Sequence, residues 1–274
     1  MKVYAPAKVN LALDVIRQYD NGYHELDMIM APVSLYNIVD IVPASQTTIS
    51  CTNGMIPDDN VTQKMVRVLK EKYPHISDYA ISIEEHIPMK AGLAGASANA
   101  AAVLKAINDM ESLQLSIDDM IQLGKQVGAD VPFCVVNRFA RVGGIGEKIV
   151  PFSTGGTFRI LLVKPKEGVS TPDAFKKWHE MEISHLDVDQ MQADLENSDL
   201  EAYCSHMGNV LECAAISMVP SLKHLRNEMK SLGLRVMMTG SGSTMMGFGN
   251  MRVLKNARNK LHGKYPFVKI VNVG

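Results

Sequence analysis

The segment AISIEEHIPMKAGLAGASANAAAVLKAIND, Ala80 to Asp109, restricts the fold more than any other stretch of the chain. AISIEEHI reads as a strand that Pro88 ends. The alanine-rich run from Ser97 has strong helix propensity. Between them, Gly92 and Gly95 permit backbone conformations that a Cβ would block. A strand, a glycine loop and a helix N-terminus gather unpaired N–H groups and partial positive charge at one point, which suits a phosphate. The same residues also suit a plain helix start, because Ala94 and Ala96 carry methyl groups where glycine would allow closer approach. From this segment alone the two readings stand even.

The rest of the chain mixes strands and helices without regular β–α alternation, which predicts an α+β protein. KVNLALDVI and MIMAPVSLYNIVDIV read as strands, and NVTQKMVRVLKEKY places Val61, Met65, Val66 and Leu69 on one helical face. SIDDMIQLGKQVG reads as a helix capped by Ser116 with Asp119 three residues on, and Gly128 as its stop. Further on, FRILLVKP reads as a strand. Helices are expected around Pro172–His179, over Leu200–Ile216 and from a Ser221 cap to Gly233. RVMMTGSGSTMMGFG has a hairpin signature, and a helix and a closing strand FVKIVNVG follow. The loop at Ser153–Thr157 is the most plausible boundary, dividing the chain into 1–154 and 155–274.

Composition excludes several functions. A formal net charge of −1 over 274 residues gives no overall attraction to nucleic acid or an anionic membrane. The longest apolar runs, such as Ile160–Val163, are strand-sized, and MKVYAPAKVN lacks the apolar stretch of a signal peptide. The four cysteines form no C-x-x-C pair, so free thiols in a reducing cytoplasm are expected. Eighteen methionines suggest a soft core. No G-x-x-x-x-G-K-[ST], H-E-x-x-H or G-x-S-x-G motif occurs, and no metal-ligand spacing of His and Cys is seen.

Three short motifs accompany the glycine loop. PAKVNL puts Lys8 and Asn10 on one face of a strand, although a lone strand lysine ordinarily lies on a solvated face. GADVPF places Asp130 in a loop after a helix stop, where aspartate is most often a turn or cap residue. MTGSGSTMMGF adds a second small-residue turn.

Together PAKVNL, IPMKAGLAGASANAAA and the late GSG turn resemble, in the same order, the GHMP kinase superfamily of ATP-dependent small-molecule kinases. NGYHELDMIM, GADVPF and ARVGGIGEKI bring the match closer to the branch that phosphorylates the 2-hydroxyl of a CDP-linked polyol in isoprenoid precursor synthesis. The resemblance runs from residue 3 to about residue 249. It implies a two-domain GHMP kinase fold: an S5 domain 2-like N-terminal domain (1–154) that binds ATP, and a ferredoxin-like C-terminal domain (155–274).

By this resemblance Asp130 receives the proton of the substrate hydroxyl, and Lys8 orients it and offsets charge on the transferred phosphoryl group. Pro88, Gly92, Leu93, Ala94, Gly95, Ala96, Ser97, Ala98 and Asn99 match the loop around the ATP phosphates, and Asn60 a position near the nucleotide. Tyr23 and His24 match residues that hold the cytosine base; TPDAFK supplies Thr171, Phe175 as a second aromatic and Lys176. Asn10 and the turn Gly240, Ser241, Gly242 complete the substrate side. Mg²⁺ accompanies ATP, with no dedicated protein metal site; a cytoplasmic monomer or homodimer acting on a small molecule is expected, with neither nucleic acid nor membrane as partner.

The loop departs from the family pattern GLxGGSS[DN]A, since Ala96 replaces a glycine and Ala98 a serine. Glu85 stands where a basic residue is expected near adenine, and Ser243 replaces a proline. These departures leave open a relative acting on another alcohol, or a nucleotide-binding regulator without catalysis.

Overall fold

The protein is described from a computed structural model covering residues 1–52 and 60–274. The chain forms two compact units, each assembled from separate pieces. Residues 1–8, 35–87 and 94–137 make one; residues 9–34, 88–93 and 138–274 make the other. The division therefore differs from a single cut at 154, because two long strands, β1 (Lys2–Gln18) and β2 (His24–Ala44), each run through both units.

In the first unit, β2 pairs antiparallel with β4 (Asp78–Glu84), and β3 (Thr48–Cys51) pairs parallel with β4. Four helices accompany them: α1 (Val61–Lys72), α2 (Gly95–Met110), α3 (Ile117–Lys125) and α4 (Val131–Val136). The core joins Val39, Ile41, Met65, Leu69, Ile81, Val103, Leu104, Ile107 and Leu123. The expected face of α1 is buried at Met65, Val66 and Leu69. Ser116 and Asp119 close a capping box on α3 as read from the sequence. That helix ends at Lys125, three residues before the expected glycine stop.

In the second unit, β10 (Phe267–Val273) pairs with β7 (Phe158–Lys164), which pairs with β9 (Met245–Phe248), and β9 with β8 (Arg235–Met238), all antiparallel. The β8–β9 hairpin was legible from RVMMTGSGSTMMGFG. β5 (Ala140–Gly144) pairs with β2 and with β6 (Lys148–Pro151). The helices are α5 (Thr171–Trp178), α6 (Val188–Glu196), α7 (Leu200–His206), α8 (Leu211–Met218), α9 (Pro220–Ser231) and α10 (Met251–Leu261). The helix expected over 200–216 is broken, because Asn209 bridges to Leu13 and the Val210 N–H donates to the Leu13 carbonyl. Ser221 lies inside α9 rather than capping it; Pro220, which lacks an N–H, opens the helix.

Ten methionines are at most 6% exposed, among them Met30, Met65, Met237 and Met246, so methionine does fill much of the core. The four cysteines are free thiols. Among the described residues no helix is long and apolar enough to cross a membrane.

Candidate active site

Lys8 sits where β1 is already covered on both faces: residues 7 to 15 are all buried, so the strand does not alternate there. Its side chain is 5% exposed, against the usual habit of lysine. A buried ammonium demands a partner. Lys8 Nζ lies 3.6 Å from Asp130 Oδ1. Asp130 begins α4, with Pro132 in the first turn, and its side chain makes no cap hydrogen bond. GADVPF is thus a turn plus a short helix rather than a loop. The carboxylate is left to face the lysine while staying 38% exposed, so one edge can meet a ligand. Behind it, burial and then the Asp130 charge push the Cys134 thiol up to about 12, which makes it a poor nucleophile. A Cβ at Gly128 would lie 3.9 Å from Ser97 Oγ, so the Ser97 hydroxyl belongs to this neighbourhood.

The glycine-loop segment is both loop and helix start. Ala94 takes a left-handed conformation (φ +56°) and precedes α2 without a side-chain cap. The first helical hydrogen bond runs from the Ala98 N–H to the Ala94 carbonyl at 2.9 Å. The N–H groups of Gly95, Ala96 and Ser97 therefore have no intrahelical partner, as an anion site requires. Ala96 is exposed and Ser97 half-buried, whereas Ala98 packs in the core at 1% exposure. Asn99 is buried as well. It accepts a 2.9 Å hydrogen bond from Asn37, which in turn accepts from the His86 and Ile87 N–H groups. Asn99 therefore anchors the approach to the loop. Asn60 caps α1, accepting from the Gln63 N–H at 2.9 Å.

In the second unit, Gly92 (φ +73°) lies against the turn after β8. A Cβ there would collide with the Thr239 carbonyl, and one at Gly240 would lie 2.9 Å from the Gly92 carbonyl. Pro88 is half-buried and Leu93 buried. The turn is pinned on several sides. Asn209 donates to the Met238 and Gly240 carbonyls (2.9 and 2.8 Å), and Thr239 Oγ1 accepts from the Asn10 N–H at 2.8 Å. Ser241 and Thr171 share a 2.6 Å hydroxyl hydrogen bond. Gly242 closes the turn through its N–H to the Thr239 carbonyl at 3.0 Å. Asn10, Thr171, Gly240, Ser241, Gly242 and Gly92 are thus linked within one unit. The sequence reading missed Thr239 and Asn209; a lone asparagine inside an expected helix was the available signal.

A ring cluster forms a second feature of this unit. The His24 ring stacks on Phe175 with centroids 4.3 Å apart and 20° between planes. Its Nε2 lies 2.7 Å from His179 Nε2. Trp178 meets His24 edge-on at 6.3 Å, and its Nε1–H is buried with no acceptor among the described residues. Burial, then the charge of His179, hold the His24 pKa below its ordinary value. Lys176 is exposed, and Tyr23 is 59% exposed. His24 thus covers one face of Phe175. Neither Trp178 nor His179 was singled out from the sequence, though both follow TPDAFK directly.

Two family models match the chain: the GHMP kinases N-terminal domain over residues 60–138 and the GHMP kinases C-terminal domain over 191–266. A 4-diphosphocytidyl-2-C-methyl-D-erythritol kinase of Geobacillus sp. (strain WCH70) is 38% identical over 250 residues, covering 89% of this chain and 86% of that one. The enzyme of the same name from Bacillus licheniformis is also 38% identical, with the same coverage. A crystal structure of 4-(cytidine 5'-diphospho)-2C-methyl-D-erythritol kinase matches with TM-score 0.85 and 29% identity, covering 100% of this chain and 99% of that one. Homoserine kinase from Cytophaga hutchinsonii, at 16% identity and TM-score 0.75 over 100% and 94% of the two chains, shares the fold. This chain belongs to the GHMP kinase family of ATP-dependent small-molecule kinases, in the branch of the 4-diphosphocytidyl-2-C-methyl-D-erythritol kinases.

Proposed function

We propose that this chain transfers the γ-phosphoryl group of ATP to the 2-hydroxyl of 4-diphosphocytidyl-2-C-methyl-D-erythritol, and that Asp130 and Lys8 carry the chemistry. The observation that carries the reading is the ion pair itself: a buried lysine aimed at a carboxylate that keeps an accessible edge. In the proposed reaction Asp130 accepts the proton of the attacking hydroxyl, and the Lys8 ammonium orients the carboxylate and offsets charge on the transferred group. Such a reaction asks for positioning and electrostatics rather than covalent work by the protein. The names of the relatives support the substrate.

The N–H groups of Gly95, Ala96 and Ser97 take the nucleotide phosphates in this proposal, with Pro88 to Ala94 shaping the approach. Asn60, Ala98 and Asn99 act indirectly, through a helix cap and the core. Mg²⁺ would be held chiefly by the nucleotide phosphates, with the Ser97 hydroxyl as a hard oxygen donor beside them, and would supply charge neutralisation. His24, Phe175, Tyr23 and Lys176 take the cytosine base, with Asn10, Thr171, Gly240, Ser241 and Gly242 supporting the rest of the substrate. The setting is a cytoplasmic monomer or homodimer.

The test is ADP release by the purified protein with Mg·ATP and the named alcohol. Substrate-dependent turnover is expected. Folded protein that binds ATP yet turns over neither this alcohol nor any CDP-linked analogue overturns the assignment.

A further inference from the structure

A groove of about 580 Å³ lies in the second unit among β7, β10, α10 and Ser34. Its lining shares no residue with the site described above. Arg159 comes from β7, and Lys255 and Arg258 from α10; Lys269 of β10 also lines the groove, but strand alternation turns it to the face opposite Asn272 and Arg159. On α10 the groove-lining residues Met251, Lys255 and Arg258 follow a spacing of four and then three, which places them on one helical stripe.

No carboxylate lines the groove. None of these three cations, Arg159, Lys255 and Arg258, enters an ion pair among the described residues. Arg159 is instead held in place by neutral partners, Asn272 Oδ1 at 2.9 Å and Met251 Sδ at 3.9 Å. Asn272 stands directly across the strand pair from Arg159, and its own N–H donates to Ser34 Oγ at 2.8 Å. In a chain whose net charge is −1, three cations around one hollow with no ion pair among the described residues are a local excess. Like charges repel, so gathering them costs energy that an anion would offset.

We propose that this groove binds a small aliphatic diphosphate ester. Two arginine forks recognise phosphate oxygens bidentately, and Lys255 adds a point charge. A diphosphate matches three cations better than a single phosphoryl group does. Met251, Val268 and Ile270 supply an apolar side to the same groove, which asks for a ligand with an apolar portion. No aromatic residue lines it, so a nucleobase would find no stacking surface. The volume falls in the range of small-molecule sites.

Calorimetric titration of the full chain with hexyl diphosphate tests this, at moderate salt and with a saturating non-hydrolysable ATP analogue filling the nucleotide site. One binding event is expected, weakened roughly tenfold or more in R159Q/R258Q and unchanged in Lys223→Gln, an exposed cation outside the groove. Inorganic pyrophosphate should bind measurably but more weakly, and hexanol not at all. Kinase turnover without hexyl diphosphate should be the same in R159Q/R258Q as in the wild type. Equal binding by wild type and R159Q/R258Q, with the latter's melting temperature unchanged, overturns the site. Loss of binding when the ATP analogue is present overturns it too, since the ester would then occupy the nucleotide site. Pyrophosphate binding as tightly as the ester overturns the apolar half of the proposal, and tighter binding to anionic vesicles than to the ester overturns the small-molecule assignment.

Discussion

The Lys8–Asp130 pair and the His24–Phe175 cluster prepare for a ligand in opposite ways. The pair is fixed by backbone: a doubly covered strand holds the lysine, and the start of α4 holds the aspartate. Its two charges are already in place before any substrate arrives, which is the condition for electrostatic catalysis without reorganisation. The ring cluster is fixed by side chains that satisfy one another: a stack, and a histidine–histidine hydrogen bond. A base entering it must replace or share those contacts. The first feature should therefore govern turnover and the second affinity.

The sharpest way to break that division is Asp130→Asn. The amide keeps the shape but cannot take a proton, so kcat should fall by about 10²–10⁴, with KM for the alcohol nearly unchanged. Single-turnover and steady-state kinetics would read both. An equal rise in KM would mean that Asp130 binds rather than reacts.

Gly92→Ala tests the backbone side next. The position has φ +73°, and the added methyl meets the Thr239 carbonyl, a group that cannot rotate away. A loss of about 1–3 kcal/mol of stability is expected, read as a fall in melting temperature. The effect should spread to ATP affinity, because the same residue shapes the loop. Unchanged stability would show that the loop and the turn after β8 are not held as described.

Phe175→Ala addresses the rings alone. Losing one stacking surface should cost about 1–3 kcal/mol, seen as a higher KM for the cytidine substrate with kcat retained. A fall in kcat without change in KM would contradict the separation of roles.

These two features were not equally legible in the sequence. Taken alone, PAKVNL and GADVPF read as a solvated lysine and a turn aspartate, and only the family resemblance joined Lys8 to Asp130; that the two meet was set by distant contacts. The elements around them were legible for local reasons: the Ser116 capping box, the β8–β9 glycine turn and the α1 stripe each act within a few residues. What could not be read was set by distant contacts. Asn209 breaks an expected helix only because Leu13 pairs with it, and Asn99 is drawn into the core by Asn37. His179 matters through a ring 155 positions away. Ala98 shows the same limit. As a motif position it looked like a missing phosphate contact, yet at 1% exposure in the core it is a packing residue. Two discontinuous units likewise arise because β1 and β2 are long enough to serve both, a length that hydrophobic pattern alone did not announce.

The smallest expected effect concerns pH and the histidine pair. Two imidazole nitrogens 2.7 Å apart share one proton between them, so at least one ring must be neutral on that edge. Burial and the His179 charge lower the His24 pKa, so protonation of His24 is resisted in the folded protein. The unfolded chain then binds more protons than the folded one as pH falls below about 6.5. Stability contributed by this contact is complete above that value and lost on acidification through the lowered folded pKa. Affinity for the cytidine substrate should weaken over the same window, by a few-fold, as the pair is forced apart. His179→Gln removes the opposing charge while leaving a hydrogen-bonding side chain. In that variant His24 protonates more readily, so the acid-side rise in KM should move to higher pH. An identical KM profile in wild type and variant would show that His179 does not set the state of His24.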